Sequence, residues 1–425
     1  MPRIAGFCYN RVGKHSLYHR HHSSTVDLEE SKIIKKGTNM RFFHLSDLHI
    51  GKQLHHYNLR EDQEYILGEV ISYAKKLHPD AVVIAGDIYD KSVPSGEAVT
   101  VFDDFLTRLS EIEPAIPILI ISGNHDSAQR LDYASRLLGS HRIYIAGKVT
   151  ETEDEHLRKI TLQDEYGDVH FWLLPFLKPG YVRGLCGGEL PESYTAAVRT
   201  VLEREQIDPE ERNVLVSHQF YTGKDIAPET CDSELLSVGG IDNVDISVLR
   251  DFDYAALGHL HGAQKVGNEH IRYCGTLLKY SVSESGQEKI LHIVELGAKG
   301  APVRVEKLPL HPLRDVRKLR GELAEIIDAA DPEQRDDYVS VTLTDEIDPY
   351  KPKEQLEKVY SHILEVRMDN ERTRQKLEFG GEEIRIEDPV QVFSDFFREM
   401  QGRGMSDEET KIVEHVFDRV KGDAR

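Results

Sequence analysis

Cysteine is scarce in this sequence, and none of its four cysteines lies close to another. They are Cys8, Cys186, Cys231 and Cys274, and no two of them form a CxxC pair. A disulfide scaffold or a cysteine zinc site would need closely spaced cysteines, so the spacing argues against both. Unpaired thiols are typical of a reducing cytosol, and we therefore expect a cytoplasmic protein.

The sequence also lacks long hydrophobic runs and an excess of positive charge. No apolar stretch reaches the roughly 18 residues that a membrane helix requires, and the runs at 81–85 and 116–121 have strand length. The formal net charge of −21 argues against indiscriminate binding to nucleic acid. It does not exclude a nuclease, because a divalent metal centre needs carboxylates and a local basic patch can contact phosphate.

Residues 1–39 show little periodicity and no continuous apolar segment of the secretory type. Their histidines, which could bind a metal, are His15, His19, His21 and His22. A solvated tail explains this composition more simply. We expect a disordered extension, with the fold beginning near Met40.

Five apolar runs of strand length end in Asp, Asn or His. The runs are RFFHLSDLH with Asp47 and His49, AVVIAGDIYD with Asp87 and Asp90, IPILIISGNHD with Asn124, His125 and Asp126, NVLVSHQ with His218, and YAALGHLH with His259 and His261. Stretches with helical periodicity, such as LREDQEYILGEVISYAKKL at 59–77, lie between them. Alternation of strands and helices predicts a layered α/β domain with ligands at the carboxyl ends of strands.

Each strand end alone has an ordinary explanation, since Gly-Asp and Gly-Asn are common in turns and a single His usually packs or is solvated. Turn chemistry does not explain His at repeated strand ends, so together they favour a metal site. Oxygen and imidazole ligands without thiolate suit Mn²⁺, Fe or Zn²⁺. Seven of the residues at these strand ends are candidate metal ligands, which is too many for one tetrahedral ion. A carboxylate such as Asp87 can bridge two ions about 3.5–4 Å apart, as in two-metal phosphoester hydrolysis.

The GNHD segment then has a chemical interpretation. Asn124 would supply a neutral oxygen ligand. His125 would lie beside the metals without binding them and would protonate the leaving oxygen. Asp126 would orient this imidazole or its loop, and a purely structural role explains Asp126 equally well.

In combination and order, these motifs resemble the calcineurin-like metallophosphoesterase family: DxH at 47–49, GDxxD at 86–90, GNHD at 123–126, a later His218 and GHxH at 258–261. The resemblance covers roughly residues 40–285 and implies a β-sandwich flanked by helices with a binuclear centre at its edge. The ligands implied for one ion are Asp47, His49, Asp87 and His261. Those implied for the other are Asp87, Asn124, His218 and His259, with His125 as the catalytic histidine.

Further segments resemble the DNA double-strand-break nucleases of that family, in particular the bacterial SbcD type. They are SDLHIGKQL, DAVVIAGDIYDKSVPS, GNHDSAQRL and YCGTLLKYSVSES. The resemblance implies manganese-dependent exonuclease and endonuclease activity on duplex ends, hairpins and single strands, in DNA repair, recombination and replication. It also implies a partner ATPase of the SbcC type with a coiled coil, and a homodimer within a heterotetramer.

One position departs from the archaeal and eukaryotic relatives. They tend to carry His three residues after the bridging Asp, where it helps to hold the substrate phosphate. Here this residue is Asp90, as is common in bacterial members, which leaves open what contacts the scissile phosphate from that side. The basic residues that we consider for DNA contact are Lys52, Arg130, Lys178, Arg183 and Lys279.

The phosphoesterase domain is expected at 40–298, and a small α/β module at 299–386 follows it. Helical spacing in HPLRDVRKLRGELAEII and in KEQLEKVYSHILEV predicts two helices. The alternation in DYVSVTLTD predicts a strand between them. In the resembled family such a module caps the active-site cleft and contacts DNA. A packing subdomain without substrate contact is the alternative.

The tail at 387–425 contains two amphipathic stretches joined by glycines. Ser406 and Glu409 form a capping box at the start of the second stretch. Apolar residues on the two faces, which we expect to bind the partner, are Phe393, Phe396, Phe397, Ile412, Val416 and Phe417. These helices could instead dock back on the domain. The resemblance favours the base of the coiled coil of the SbcC-type ATPase.

Two other functions remain to be weighed. A stand-alone small-molecule or cyclic-nucleotide phosphodiesterase could use the same metal centre, but it has little need of the capping module and the tail helices. A catalytically silent scaffold for the ATPase would not need to keep His125 or Asn124. The complete motif set therefore favours the nuclease.

Overall fold

The computed structural model describes residues 39–223, 228–234, 242–371, 389–401 and 403–422. The extension expected at 1–39, including its four histidines, lies outside the described residues apart from Asn39. The strands described are β1 (Met40–Leu45), β2 (Gln53–Leu54), β3 (Tyr57–Asn58), β4 (Ala81–Ala85), β5 (Ile118–Ile121), β6 (Ile143–Ala146), β7 (Arg158–Asp164), β8 (Gly167–Leu174), β9 (Arg212–His218), β10 (Phe220–Thr222), β11 (Asn243–Asp245), β12 (Tyr254–Gly258), β13 (Gln264–Val266), β14 (Asn268–Tyr273), β15 (Ile290–Leu296), β16 (Arg304–Pro309), β17 (Val316–Gly321), β18 (Tyr338–Leu343) and β19 (His362–Met368). The α-helices described are α1 (Arg60–Leu77), α2 (Gly96–Ser110), α3 (Ala128–Leu131), α4 (Ser135–Gly139), α5 (Tyr194–Glu203), α6 (Leu323–Asp328), α7 (Pro352–Leu356), α8 (Pro389–Gln401) and α9 (Asp407–Gly422).

Two six-stranded sheets form the expected sandwich. The first has the order β16-β15-β1-β4-β5-β6 and the second the order β13-β14-β12-β9-β8-β7. In each sheet four neighbouring strands are parallel, and antiparallel strands complete it. His44, Val83 and Leu119 are in register across β1, β4 and β5, so these strands end at one level. The predicted fold class, an α/β sandwich flanked by helices, is confirmed.

The apolar runs lack alternation because both faces of each sheet are covered. Between the sheets, the Phe42 ring packs edge-on against Phe171 and Tyr254 of the opposite sheet, with centroid distances of 5.2 and 5.8 Å. On the outer face of the first sheet, α1 and α2 bury Ile66 and Phe105. The sheets are therefore fixed from both sides, and the loops at their carboxyl edges start from a rigid base.

Helix α1 confirms the periodicity predicted at 59–77. Its acidic first turn and basic last turn match the helix dipole, and His78 ends it in the left-handed conformation. The buried face includes two polar residues, Asp62 and Gln63, besides its apolar ones. Tyr65 of the same helix is 49% exposed.

A third, parallel sheet of order β17-β18-β19 follows the sandwich. The predicted strand at its centre is confirmed as β18. Both helices predicted here are wrong in extent, because each pattern merged a strand with a short helix. Residues 316–321 form β17 and only 323–328 are helical, whereas 352–356 are helical and 362–368 form β19. Pairing with β18 outweighs the helical spacing, as is usual for short apolar segments whose neighbours offer a sheet edge.

This third sheet contacts α1 through a polar cluster. The Asp62 carboxylate is buried and accepts hydrogen bonds from Arg314 Nη1 and Tyr338 Oη, each at 2.9 Å. Arg314 also pairs with Glu61. Burial raises the pKa of Asp62, although the charge of Arg314 opposes this. Residues 372–388, which include the end of the predicted module, lie outside the described residues.

The two tail helices predicted from the sequence are present as α8 and α9, and they contact each other. The Ser406 backbone N–H donates to the Glu409 carboxylate at 2.7 Å, and the Glu409 N–H donates to Ser406 Oγ at 3.3 Å. This reciprocal pair is the predicted capping box. No helix in the described part of the chain is both long and apolar enough to span a membrane.

Candidate metal centre

The residues singled out at the five strand ends meet at one edge of the sandwich. The first sheet contributes those after β1, β4 and β5, and the second contributes those at the ends of β9 and β12. The seven side chains are Asp47, His49, Asp87, Asn124, His218, His259 and His261. Asp47, His49 and His218 are fully inaccessible to solvent. Charged and polar groups are buried at such density only when something compensates their charge.

The backbone at this edge is strained. Asp47, His49, Asp87 and His259 have φ angles of 52°, 42°, 51° and 106°. Positive φ is uncommon outside glycine, and it costs free energy of order 1–3 kcal/mol at each position. The fold holds these four side chains in directions that a relaxed strand end would not give them.

Two glycines explain how the loops approach so closely. Gly86 has φ +90°, and a Cβ atom there would collide with the His218 ring. A Cβ at Gly123 would collide with the Asp87 carboxylate. Glycine therefore precedes Asp87 and Asn124 because no side chain fits between the loops.

Two groups of ligand-type atoms share Asp87. In the first, His49 Nε2 lies 3.1 Å from His261 Nε2, 3.9 Å from Asp47 Oδ1 and 3.7 Å from Asp87 Oδ2. In the second, His218 Nε2 lies 3.3 Å from Asp87 Oδ2. In the same group, Asn124 Oδ1 lies 3.0 Å from His218 Nε2 and 2.9 Å from His259 Nδ1. Asp87 therefore lies between the groups, as a shared ligand would.

The outer nitrogens of two imidazoles are fixed by the protein. His218 Nδ1 lies 2.7 Å from the carbonyl oxygen of Ala85 and can only donate to it. His261 Nδ1 lies 2.7 Å from Ser233 Oγ. The Nε2 atoms consequently face the centre, which is the arrangement by which proteins orient metal-binding histidines.

The charges of the centre are tightly interdependent. Burial lowers the pKa of His218, but the charge and hydrogen bond of Asp87 outweigh this effect and raise the pKa to about 9. Burial raises the pKa of Asp87, but His218 and His49 outweigh it and hold that pKa well below its usual range. The positive charge of protonated His218 and the negative charge of Asp87 stabilise each other, as a metal cation and this carboxylate would. The oxygen and imidazole donors fit the divalent metal ions that the fold family implies.

His125 lies beside the metal-ligand groups, where the sequence predicted it. Its backbone N–H donates to Asp87 Oδ1 at 2.8 Å, and its ring centroid is 4.8 Å from that of His49. Its Nδ1 lies 2.9 Å from the backbone oxygen of Asp90, to which it can only donate. Nε2 therefore remains to exchange a proton with a substrate.

Asp126 contacts backbone, and no described contact joins it to the His125 ring. Its carboxylate accepts from the N–H groups of Ile88, Tyr89 and Gly123 at 3.1, 3.0 and 2.9 Å. Burial and the neighbouring charge of Asp87 raise its pKa to about 6. Of the roles considered for Asp126, orienting the loops fits these contacts.

Sequence reasoning missed the residues that hold His261. Ser233 Oγ lies between His261 Nδ1 and Glu284 Oε1, to which it donates at 2.6 Å. Glu284 is fully buried and pairs with Lys289 at 2.6 Å. Burial raises the pKa of Glu284, but His261 and Lys289 outweigh it and lower the pKa strongly. The polar segment SVSES carries no motif that would have revealed this role.

Gln63 and Tyr280 also escaped prediction. Gln63 Oε1 accepts from the Gly51 N–H at 3.0 Å, and its Nε2 donates to the His49 carbonyl at 2.8 Å. Nε2 also lies 3.2 Å from Tyr280 Oη, which donates to the Leu48 carbonyl. These bonds fix the loop that carries Asp47 and His49. A buried Gln on an apolar helix face was the available signal.

The candidate DNA contacts are distributed unevenly. Arg130, Lys178 and Arg183 are exposed. Lys52 lies next to the metal-ligand loop and pairs with Asp90. Lys279, only 10% exposed, donates to Asp315 and to the Ser285 carbonyl, so it does not belong to an open basic surface.

Comparisons with known proteins agree with this geometry. Residues 40–263 match the family described as calcineurin-like phosphoesterase, and residues 312–401 match the type 5 capsule protein repressor C-terminal domain. Over 382 residues the chain is 31% identical to the SbcD nuclease of the SbcCD complex of Staphylococcus epidermidis, covering 89% of this chain and 98% of that protein. A solved dimetal phosphatase from Danio rerio is similar over 63% of this chain and 98% of its own, at 13% identity and a TM-score of 0.32, too low to support an argument. The family match and the relative together confirm a hydrolase with a phosphoesterase domain. The chain thus belongs to the calcineurin-like phosphoesterase family, in the branch that contains the SbcD nucleases.

Proposed function

We propose that this chain is the nuclease subunit of an SbcCD-type complex and hydrolyses DNA phosphodiester bonds with two divalent metal ions, Mn²⁺ in the cell. The observation that carries the proposal is the position of Asp87 between two groups of ligand-type side chains, with His125 beside them. Asp47, His49, Asp87 and His261 would hold one ion. Asp87, Asn124, His218 and His259 would hold the other.

Two bound ions polarise the phosphodiester and lower the pKa of the attacking water. The chain's own part in the reaction is to position the substrate and to move a proton. As the water oxygen bonds to phosphorus, the bond from phosphorus to the sugar oxygen breaks. His125 Nε2–H donates its proton to that departing oxygen, while the Asp90 carbonyl holds Nδ1.

The test compares wild-type protein with His125→Gln on a hairpin-ended duplex and on bis-p-nitrophenyl phosphate, in Mn²⁺. We expect His125→Gln to slow DNA cleavage by about 10²–10⁴-fold with unchanged metal content. The loss on the nitrophenyl ester should be smaller, because nitrophenolate leaves readily without a proton. His141→Gln, at an exposed histidine, is the matched control and should behave as wild type.

An equal loss of activity on both substrates in His125→Gln would rule out proton donation by His125. A loss of bound metal in this variant would indicate that His125 is a metal ligand. Hydrolysis of the nitrophenyl ester without any DNA cleavage, with or without an SbcC-type partner and ATP, would favour the small-molecule phosphodiesterase.

We further propose that α8 and α9 bind the coiled coil of an SbcC-type ATPase, and that the module around β17–β19 caps the active-site cleft. The apolar side chains of the tail support the first point, since Phe393, Phe396 and Ile412 are 38, 57 and 65% exposed. Exposed apolar residues grouped on helix faces are typical of protein interfaces. Phe397 and Phe417 are half-buried, and the side chain of Val416 lies outside the described residues. Assembly as a homodimer within a heterotetramer, and a cytoplasmic location, remain predictions.

A further inference from the structure

The metal centre is rich in negative charge, yet its substrate is an anion. Asp47, Asp87, Asp90 and Asp126 all lie at this edge of the sandwich. Asp90 in particular faces the space between His49 and His125, since ligand atoms of these three residues lie within 4.8 Å of one another. A phosphodiester that reaches His125 would pass this carboxylate. A cation beside Asp90 would offset this local repulsion, in addition to the two metal ions that the proposed function places at the centre.

Lys52 supplies a cation at that place. Its Nζ lies 2.8 Å from Asp90 Oδ1, and the two side chains are 16 and 13% exposed. Asp90 Oδ1 is in turn 3.9 Å from His49 Nδ1. The backbone N–H of Lys52 donates to the His49 carbonyl at 3.0 Å, so the lysine is fixed to the loop that carries the metal ligands.

Two other lysines near the centre, Lys289 and Lys279, have their donors engaged by the protein. Lys289 bonds Glu284 and three further oxygens, and Lys279 bonds Asp315 and a carbonyl oxygen. An ammonium group has three N–H donors. Among the described residues, Asp90 is the acceptor found for Lys52 Nζ. Lys52 therefore retains capacity for a phosphate oxygen, which Lys289 and Lys279 do not.

The surroundings of Lys52 also suit a nucleic acid strand. Its chain neighbours Gly51 and Gln53 line a cavity of about 390 Å³, and Asp90 lines it too. The polar and charged side chains on the other walls include Asn58, Arg60, Lys91 and Glu97, and Arg60 Nη1 lies 3.7 Å from Glu97 Oε1. The cavity therefore begins at Asp90, next to the proposed metal ligands, and lies beside the loop that carries Lys52.

We infer that Lys52 contacts the phosphodiester that is cleaved, and that Asp90 is a positioning residue that holds its ammonium group there. This inference rests on the proposed function. The negative charge of Asp90 alone would repel the substrate. In this inference its carboxylate instead holds the Lys52 ammonium group next to the substrate. The Lys52–Asp90 pair would then hold the phosphate on the side of the cleft that the sequence left unexplained.

The experiment measures binding of a single-stranded oligonucleotide by fluorescence anisotropy at several salt concentrations, in a His125→Gln background that slows cleavage. For Lys52→Gln we expect about 10–100-fold weaker binding. The slope of log K against log salt should fall by about 0.7, as for the loss of one phosphate contact. Lys52→Arg should keep the slope. Lys76→Gln, at an exposed lysine in the last turn of α1, should change neither.

Asp90→Asn, assayed by steady-state cleavage with His125 intact, separates the positioning role of Asp90 from the phosphate contact of Lys52. It removes a negative charge, so binding should not weaken, whereas kcat should fall because the ammonium is no longer held. Metal content, measured for every variant, should match wild type.

An unchanged salt slope in Lys52→Gln, or an equal change in Lys76→Gln, would overturn the assignment while leaving the nuclease function in place. A loss of metal in Lys52→Gln would also overturn it. Wild-type protein that neither binds nor cuts DNA would refute the proposed function and this inference with it.

Discussion

In most proteins polar side chains are exposed and apolar ones are buried. The metal centre and the tail helices depart from this rule in opposite ways. At the metal centre, Asp47, His49 and His218 are polar and fully buried, whereas in the tail Phe396 and Ile412 are apolar and more than half exposed. Each departure is costly unless a partner compensates it. The comparison agrees with the proposed partners, which are metal ions where charged groups converge and an apolar surface where apolar side chains face solvent.

The two regions also differ in how they are assembled. The centre draws on five strand ends and on strained backbone, with glycines that allow the close approach. The tail consists of consecutive helices with a regular capping box. Substitutions at the centre should therefore affect metal, rate and stability together, and substitutions in the tail should affect partner binding alone.

The largest effect should come from Asp87→Asn, because Asp87 lies in both ligand groups. We expect loss of bound metal and at least about a hundredfold loss of phosphodiesterase rate, since even an outer partner of a metal ligand is worth about 10–100-fold. Elemental analysis measures the bound metal, and hydrolysis of bis-p-nitrophenyl phosphate measures the phosphodiesterase rate. Asp103→Asn, on the exposed face of α2, is the control. Full metal content in Asp87→Asn would show that Asp87 is not shared.

A smaller effect is expected from Glu284→Gln, which removes the carboxylate behind Ser233 and His261. Metal affinity of the apoprotein, titrated with Mn²⁺, should fall by about 10–100-fold. The free energy of unfolding should fall by about 3–5 kcal/mol, because Lys289 is left buried without its counter-charge. The exposed Glu288→Gln should leave both unchanged. If affinity stayed at the wild-type value, His261 would be oriented by something other than this pair.

The effect on the nuclease should be smallest for Phe396→Asp. Binding to the coiled coil of an SbcC-type ATPase should weaken by about 30-fold, the value of a 2 kcal/mol interface residue. Hydrolysis of bis-p-nitrophenyl phosphate and metal content should not change. Gln401→Asp, an exposed polar position on the same helix, controls for charge. Equal partner binding in Phe396→Asp and wild type would place the ATPase elsewhere.

The sequence predicted which side chains would converge at this edge, because the determinants of their positions are local. Strand, glycine and ligand follow one another within a few residues, and parallel strand ends must meet at one edge. Glu284 was not predictable, because its partners Ser233 and Lys289 become neighbours only when the chain folds. The third sheet was misjudged for a similar reason. Val316 and Ile363 fit a helical spacing, and only pairing with β18 shows that they lie in strands.

Helix α1 is a mechanical link between distant parts of the molecule. Asp62 accepts hydrogen bonds from Arg314, which precedes β17, and from Tyr338 of β18, and the next residue, Gln63, donates to the carbonyl of His49. Consecutive residues of one helical turn cannot move independently. The third sheet is thus connected, through two consecutive residues of α1, to the loop that carries Asp47 and His49.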